Sequence, residues 1–342
     1  ADSTRDLVFI PTGSASVDYF GGERLGQNLY ANSIVALRAS TGRLVWHFQT
    51  VHHDLWDYDN ASPPALVTIT REGRRIDAVL QATKTGQLYV LDRATGAPIF
   101  PVVERAVPRS TIEGEEAWPT QPFNSTLPAL SPQRYSAADA WGVDPDEQEA
   151  CRKRMAGLRN EGSYTPPSFE GSLVVPSNIG GAHWGGVAYD PERSIVVIPV
   201  NTIAAEVQLI PRQEYERRGK WAADPEWIRK TSEYTDMEGT PFVMRRSMIL
   251  SPKGLPCTPP PFGKLVALDL SSGRRLWETP LGSPSSLIAD SAARTAARSW
   301  GSPNLGGPIV TAGGLVFMAG TLDDAIHAFD VETGRELWSG SL

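Results

Sequence analysis

Cysteine is scarce in this chain: only Cys151 and Cys257 in 342 residues. A single pair excludes a disulfide-stapled small scaffold. It leaves two readings open, one disulfide or two buried thiols. No CxxC or HExxH spacing occurs, which argues against a zinc site of either kind. Long apolar runs are also missing. No eighteen consecutive apolar residues occur, so no segment of this chain reads as a transmembrane helix. Positive charge is in deficit, with 32 Lys and Arg against 39 Asp and Glu and a formal net charge of −7. An acidic chain without a basic stripe is not expected to bind nucleic acid. Ala1 opens the chain with no charged and apolar leader behind it. It therefore reads as a piece of a longer protein whose signal segment is absent or removed.

Turn formers and indoles are abundant: 31 Gly, 28 Pro and ten Trp. Apolar residues make up 41%, enough for a sizeable core. Many turns with many aromatics favour short strands over long helices.

A repeat organises these strands. Residues 34–46 read IVALRASTGRLVW, 88–100 read LYVLDRATGAPIF, 265–277 read LVALDLSSGRRLW and 326–338 read IHAFDVETGRELW. An apolar strand enters a tight turn, and Gly42, Gly96, Gly273 or Gly334 supplies the positive φ. Asp92, Asp269 and Asp330 are placed to accept from the turn amides. Arg38 replaces that Asp in the first copy, and Phe100 replaces the closing Trp in the second. The aromatic is expected to pack back across its own hairpin. A lone hairpin cannot bury its face, so the units must stack. The glycines are 54, 177 and 61 residues apart. The first and last intervals fit one four-stranded propeller blade. The middle one is expected to hold blades with decayed motifs, and SLVVPSN, WGGVAYD and SIVVIPV within 172–200 read as their strands, with a DPER turn at 190–193. Segments 102–168 and 212–246 read as long loops on one face, with helical candidates at 144–159 and 225–233. Long loops in a compact domain tend to be functional.

Three clusters carry possible chemistry. TVHHDLWDYDN, residues 50–60, holds His52, His53, Asp54, Asp57 and Asp59. It admits a metal site, a polar turn, or an aspartate made basic by apolar neighbours. Lys84, in ATKTGQLYVLD, is either a solvated strand end or a fixed cation facing an anionic or quinonoid ligand. PSNIGGAHWGG, residues 176–186, surrounds Asn178, His183 and Trp184 with glycines that permit close approach to a flat ligand, or simply a bulged turn. GSPNLGGPI, residues 301–309, repeats that character.

Taken in order, HHDLWDYD, QATKTGQLYVLDRATG, TPPS, NIGGAHWGG, GLPC and NLGGPIVTAGGLVFMAGT resemble the quinoprotein dehydrogenases, in the branch of membrane-bound glucose and quinate dehydrogenases. The resemblance runs over nearly the whole chain. It implies an all-β fold, part of an eight-bladed β-propeller whose hairpin–Trp motifs lock adjacent blades, with residues 1–342 as its C-terminal half. It implies pyrroloquinoline quinone (PQQ) as cofactor with Ca2+ or Mg2+, and a sugar, polyol or other alcohol as substrate. Ubiquinone would be the electron acceptor, at the periplasmic face of the inner membrane. Residue by residue, Asp57 matches the catalytic base and Lys84 the cation at the quinone oxygens. Asn178, His183 and Trp184 match the cofactor pocket, and the backbone of Asn304 and Leu305 its rim. Asn201 is a weaker match, and Asp54 is expected to be structural. Relatives carry TGN where this chain has PTGS, so Ser14 stands at a metal ligand and would join Asp57 there, as a shorter donor than an amide oxygen. A second metal ligand and the indole flooring the cofactor would lie upstream, in the remainder of the same propeller. This chain alone is therefore expected to show little activity. Propellers with the same repeat also serve as non-catalytic scaffolds in outer-membrane assembly, the rival reading.

Overall fold

The computed structural model describes residues 1–288 and 291–342. Strands β1 (Leu7–Pro11), β2 (Ser33–Arg38) and β3 (Leu44–Gln49) form one antiparallel sheet. Strands β4 (Ala65–Arg71), β5 (Arg74–Ala82) and β6 (Leu88–Asp92) form the next. A hairpin of β7 (Val102–Ala106) and β8 (Thr120–Asn124) follows, then helix α1 (Pro145–Ala156) and strand β9 (Ser172–Val174).

The third blade is split. Strands β10 (Ala188–Asp190) and β11 (Ile195–Asn201) open it. The chain then leaves through β12 (Ala205–Pro211), β13 (Ser232–Asp236) and β14 (Phe242–Met248). It returns with β15 (Gly263–Asp269) and β16 (Arg274–Pro280), giving the order β10-β11-β15-β16. The excursion makes its own sheet, ordered β13-β14-β12-β9. Strands β17 (Ile309–Val310), β18 (Leu315–Met318), β19 (Ala325–Asp330) and β20 (Glu336–Ser341) complete the fourth blade.

The long interval between the second and third repeats thus contains no decayed blades. It holds half of one blade and two excursions. SLVVPSN carries β9, which pairs with β12 in the excursion. Alternation marks a strand but not the sheet it joins. Part of 212–246, read as loop, is likewise β13 and β14, while the helices fall where the sequence places them, as α1 and Glu226–Thr231.

Period-2 alternation builds the core. On β5, Val79 packs with Tyr89 of β6 toward Phe9 and Ile34 of the first sheet, while Ala78 and Leu80 face Val196 and Ile198 of the third. On β11, Ile195 and Val197 turn the other way, toward Val316, Met318 and Phe329 of the fourth. The sheets therefore stack in chain order.

The repeat's aromatic locks that stack. Trp46 does not fold across its own hairpin; its ring lies on Gly96 of the next copy, where an added Cβ would fall 2.6 Å from it, and its Nε1 donates to the Arg93 carbonyl at 3.2 Å. Phe100 covers Gly273 in the same way, and Trp277 covers Gly334 while donating to the Val331 carbonyl at 2.9 Å. The turn aspartates act as expected: Asp92 Oδ1 accepts from the amides of Ala94 and Thr95 at 3.0 and 2.9 Å. In the first copy, where Arg38 stands, Asp6 of a neighbouring turn accepts from the Ser40 amide at 3.0 Å.

Cys151 and Cys257 form a disulfide, tying α1 to the segment that returns toward β15. Among the described residues no helix is long and apolar enough to cross a membrane.

Candidate active site

The loop after β3 turns on Asp54. Its carboxylate accepts from the amides of Trp56 (2.8 Å) and Tyr58 (2.7 Å), from Asn32 Nδ2 (2.8 Å) and from the Ser14 hydroxyl. Trp56 and Tyr58 are buried and anchor the loop through Trp56 Nε1 to the Thr165 carbonyl and Tyr58 OH to the Pro176 carbonyl, at 2.8 and 2.6 Å. The histidines belong to this frame. His53 Nδ1 and Nε2 pair with the Gly26 carbonyl and Glu115, and His52 pairs with Gln49 and Glu104. Their ring nitrogens are thus engaged away from the aspartates.

Asp57 and Asp59 are left facing Lys84. Asp57 sits at φ 61°, in the left-handed region that an aspartate tolerates better than most side chains. Lys84, 1% exposed, donates to the Asp57 carbonyl (2.8 Å), to Asp57 Oδ1 (3.1 Å) and to Asp59 Oδ2 (2.8 Å). Arg246 of β14 donates to Asp57 Oδ2 at 3.2 Å, and also to the Tyr19 hydroxyl and to Glu233. One carboxylate is thus held between two cations from different sheets. Burial pushes the Asp57 carboxyl up to about 7, against the pull of Lys84 and with help from Asp59. Burial acts on Asp59 in the same direction. There the hydrogen bonds from Asp57, Lys84 and the Ser14 amide win and hold it below the usual carboxylate range. Two carboxyls with opposed proton affinities beside a lysine suit a proton-accepting site.

Glycines bring the other motifs against this pair. A Cβ on Gly180 would fall 2.6 Å from Lys84 Cα, and one on Gly181 2.6 Å from Gly86 Cα. Gly185 meets Gly306 backbone to backbone. Residues 178–186 therefore pack between the lysine turn and residues 304–307. Trp184, 52% exposed, lies with its ring centroid 5.0 Å from Lys84 Nζ. His183 Nε2 pairs with Asn304 Oδ1 at 2.8 Å, and burial holds this imidazole below its usual range. Asn201 accepts from the Asn304 amide at 2.9 Å and donates to its carbonyl at 3.0 Å. Leu305 is exposed beside them.

Of the residues singled out in the sequence, Lys84 is in direct contact with both Asp57 and Trp184. Asn178 joins them through Gly180, two residues on. His183, Asn201 and Asn304 form a buried bracket behind. Ser14 is near, but its hydroxyl goes to Asp54 rather than Asp57. Arg246 and Tyr19 were not singled out, and Asp59 was named only as a member of the 50–60 cluster, with no role of its own. The adjacent arginines of FVMRRSM, inside an otherwise apolar strand, were the available signal for Arg246.

The residues fit a flat, polar, anionic cofactor. Asn178 Oδ1 is buried and has no hydrogen-bond partner among the described groups. Beside it, bare glycine backbone, an exposed indole and a buried ammonium offer apolar faces and a cation. A metal fits less well. Among the described residues no three His, Cys, Asp or Glu side chains converge as ligands.

The family model described as "PQQ: Glucose/ethanol/alcohol dehydrogenase, beta-propeller domain" matches residues 1–342. The quinoprotein glucose dehydrogenase of Escherichia coli (strain K12) is 37% identical over 345 residues, covering 100% of this chain and 43% of the relative. The probable quinate dehydrogenase (quinone) of Xanthomonas campestris pv. juglandis is 38% identical over 343 residues, with coverage of 100% and 43%. The chain thus spans less than half the length of these relatives. The quinohemoprotein alcohol dehydrogenase structure from Comamonas testosteroni superposes with TM-score 0.58 at 22% identity, over 99% of this chain and 40% of that one, and shares the fold. The chain belongs to the PQQ beta-propeller domain family of glucose, ethanol and alcohol dehydrogenases.

Proposed function

We propose that the whole protein oxidises a sugar, polyol or other alcohol with PQQ and passes the electrons to a quinone, ubiquinone in a membrane. The observation that carries this reading is the Asp57 carboxylate held between Lys84 and Arg246. A non-catalytic scaffold has no use for a half-buried carboxylate of raised proton affinity beside a buried lysine. PQQ, when bound, supplies the two-electron acceptor.

Lys84, Trp184 and Asn178 would hold that group, with the Asn201–Asn304 bracket keeping its rim rigid. Asp57 Oδ2 or Oδ1 accepts the substrate hydroxyl proton. Lys84 steadies the carboxylate before transfer through its bond to the Asp57 carbonyl. Positioned proton transfer of this kind contributes about 10²–10⁴-fold in rate. Asp57 is the candidate metal ligand here. With the Ser14 hydroxyl engaged by Asp54, other Ca2+ or Mg2+ ligands would come from elsewhere in the protein. The disulfide accords with an oxidising compartment, and we place the site on the periplasmic face. These residues alone, without the rest of the propeller, are expected to turn over little or no substrate.

The test is reconstitution of the full-length protein with PQQ and Ca2+, assayed with sugars, polyols and simple alcohols and a dye acceptor. Turnover that vanishes in Asp57→Asn is expected. Neither PQQ binding nor turnover with any of these substrates sinks the reading and favours the scaffold.

A further inference from the structure

A cavity of about 250 Å³ opens beside Asp57. Arg246, which holds Oδ2, lines it; Lys84, which holds Oδ1, does not. Its walls come from a loop bearing Asp18 and Tyr19 and from the excursion sheet, through Glu233 and Met244. Tyr19 and Met244 are buried and supply an apolar face.

The polar side is uneven. Arg246 already serves Asp57, the Tyr19 hydroxyl and Glu233, so its charge is matched by two carboxylates. No cation lining the cavity remains for an anionic ligand. Asp18 is the opposite case. Its carboxylate has no hydrogen-bond donor among the described residues, although it is partly buried. Its backbone is fixed relative to Asp57. Arg24 Nη2 donates both to the Val17 carbonyl at 3.0 Å and to the Asp54 carbonyl at 2.6 Å, tying the two loops together. A positioned carboxylate lacking donors, facing an apolar wall next to a proton acceptor, is built to receive hydroxyl groups.

We propose that this cavity seats the non-reacting hydroxyls of a neutral sugar or polyol. Asp18 is then a specificity-determining residue that accepts their hydrogen bonds. Arg246 is a positioning residue, placing Asp57 at the cavity edge. The inference rests on the proposed alcohol oxidation at Asp57 and narrows its substrate class. Polyols bind better than monohydric alcohols, which offer Asp18 nothing. Carboxylated polyols are repelled by Asp18 and Glu233.

The experiment uses the full-length protein loaded with PQQ and Ca2+, and three matched probes: glycerol, 1-propanol and glycerate. In Asp18→Ala the KM for glycerol is expected to rise about tenfold or more, the scale of losing a hydrogen bond to a charged group. The glycerol to 1-propanol ratio of kcat/KM falls by a similar factor, and discrimination against glycerate relaxes. Asp18→Asn, which keeps an acceptor, recovers part of the glycerol affinity. Arg246→Lys is expected to lower kcat more than it raises KM. Calorimetric titration of PQQ-free protein with glycerol gives a readout independent of turnover, and Asp18→Ala is expected to weaken it. Unchanged glycerol KM and calorimetry in Asp18→Ala overturn the proposal. So does an effect on PQQ saturation alone, which would assign the cavity to the cofactor. Failure of the wild type to oxidise any probe sinks the oxidation reading instead, and the calorimetric arm still decides whether the cavity binds a polyol. Should Asp18→Ala not fold, Asp18→Asn under the same two readouts decides.

Discussion

Lys84 grips Asp57 twice, at the main-chain carbonyl (2.8 Å) and at the carboxylate (3.1 Å), so one ammonium holds both the conformation and the charge of the residue. It also holds Asp59 at 2.8 Å. Replacing it by Met strands two carboxylates next to each other. Breaking a buried pair from one side costs about 3–5 kcal/mol. Asp57 and Asp59 are partly exposed, so the lower end is expected for Lys84→Met. The measurement is urea unfolding of the full-length protein. Oxidation should fall at least a hundredfold. Lys84→Arg is not expected to rescue it, because Gly180 packs tightly on the lysine's own Cβ and Cγ. A loss below 1 kcal/mol would show that the pair adds nothing to stability.

The Trp46–Gly96 contact separates two costs that glycine substitutions usually mix. Gly96 and Gly73 share nearly the same backbone, φ 74° and 72°. Nothing lies within 4 Å of a Cβ on Gly73, whereas one on Gly96 would meet the Trp46 ring at 2.6 Å. Gly73→Ala is expected to cost about 1 kcal/mol, the strain of positive φ alone. Gly96→Ala should cost about 2–3 kcal/mol, because the ring between blades must also move. Trp46→Ala should cost about 3–5 kcal/mol. Equal melting temperatures for the two alanine variants would show that the clasp yields freely.

Much of this fold was legible because its repeat is local. Strand, turn aspartate, glycine and aromatic lie within thirteen residues, so each copy announces itself. What the aromatic touches was not legible from the spacing, since its glycine sits one copy later. The missing aspartate of the first copy was likewise replaced from outside, by Asp6. The site divides along the same line. Asp57, Lys84 and the glycine motifs each lie in one contiguous stretch that stands out in the sequence, although the family resemblance rather than the spacing suggested their roles. Arg246 reaches Asp57 across 189 residues from a sheet made by an excursion, and no local pattern encodes that pairing.

The Cys151–Cys257 bond closes a separation of 106 residues. On chain entropy alone such a loop is worth about 4–5 kcal/mol. Much of that loop is already pinned. The Trp141 amide donates to the Cys257 carbonyl at 2.8 Å, and Arg154 reaches Glu206, Ser247 and the Leu250 carbonyl at 3.0, 2.9 and 3.0 Å. The double Cys→Ser variant is therefore expected to lose about 2–3 kcal/mol, and reductant should lower the wild-type melting temperature but not the variant's. Equal response of both to reductant would show that the bond is not the source.

Asp18 gives the protein a pH signature of unusual sign. Burial, reinforced by Asp54 and Asp59, pushes its carboxyl up to about 6 from 3.8. The folded state thus binds this proton more tightly than the unfolded chain does. Stability from this group is greatest below about pH 4 and declines as pH rises to about 6, opposite to a salt-bridged aspartate. The carboxyl is only partly sheltered from water, so the loss is about 1–2 kcal/mol, less than the full shift would give. In the metal-free, PQQ-free protein, Asp18→Asn should therefore raise the melting temperature at pH 7.5 and change it little at pH 4. Because many other carboxylates titrate in the same range, the informative quantity is the difference between variant and wild type at each pH. A difference that stays flat from pH 4 to 7.5 would mean that Asp18 is fully solvated, and would also remove the reason to expect it to seek a ligand's hydroxyl groups.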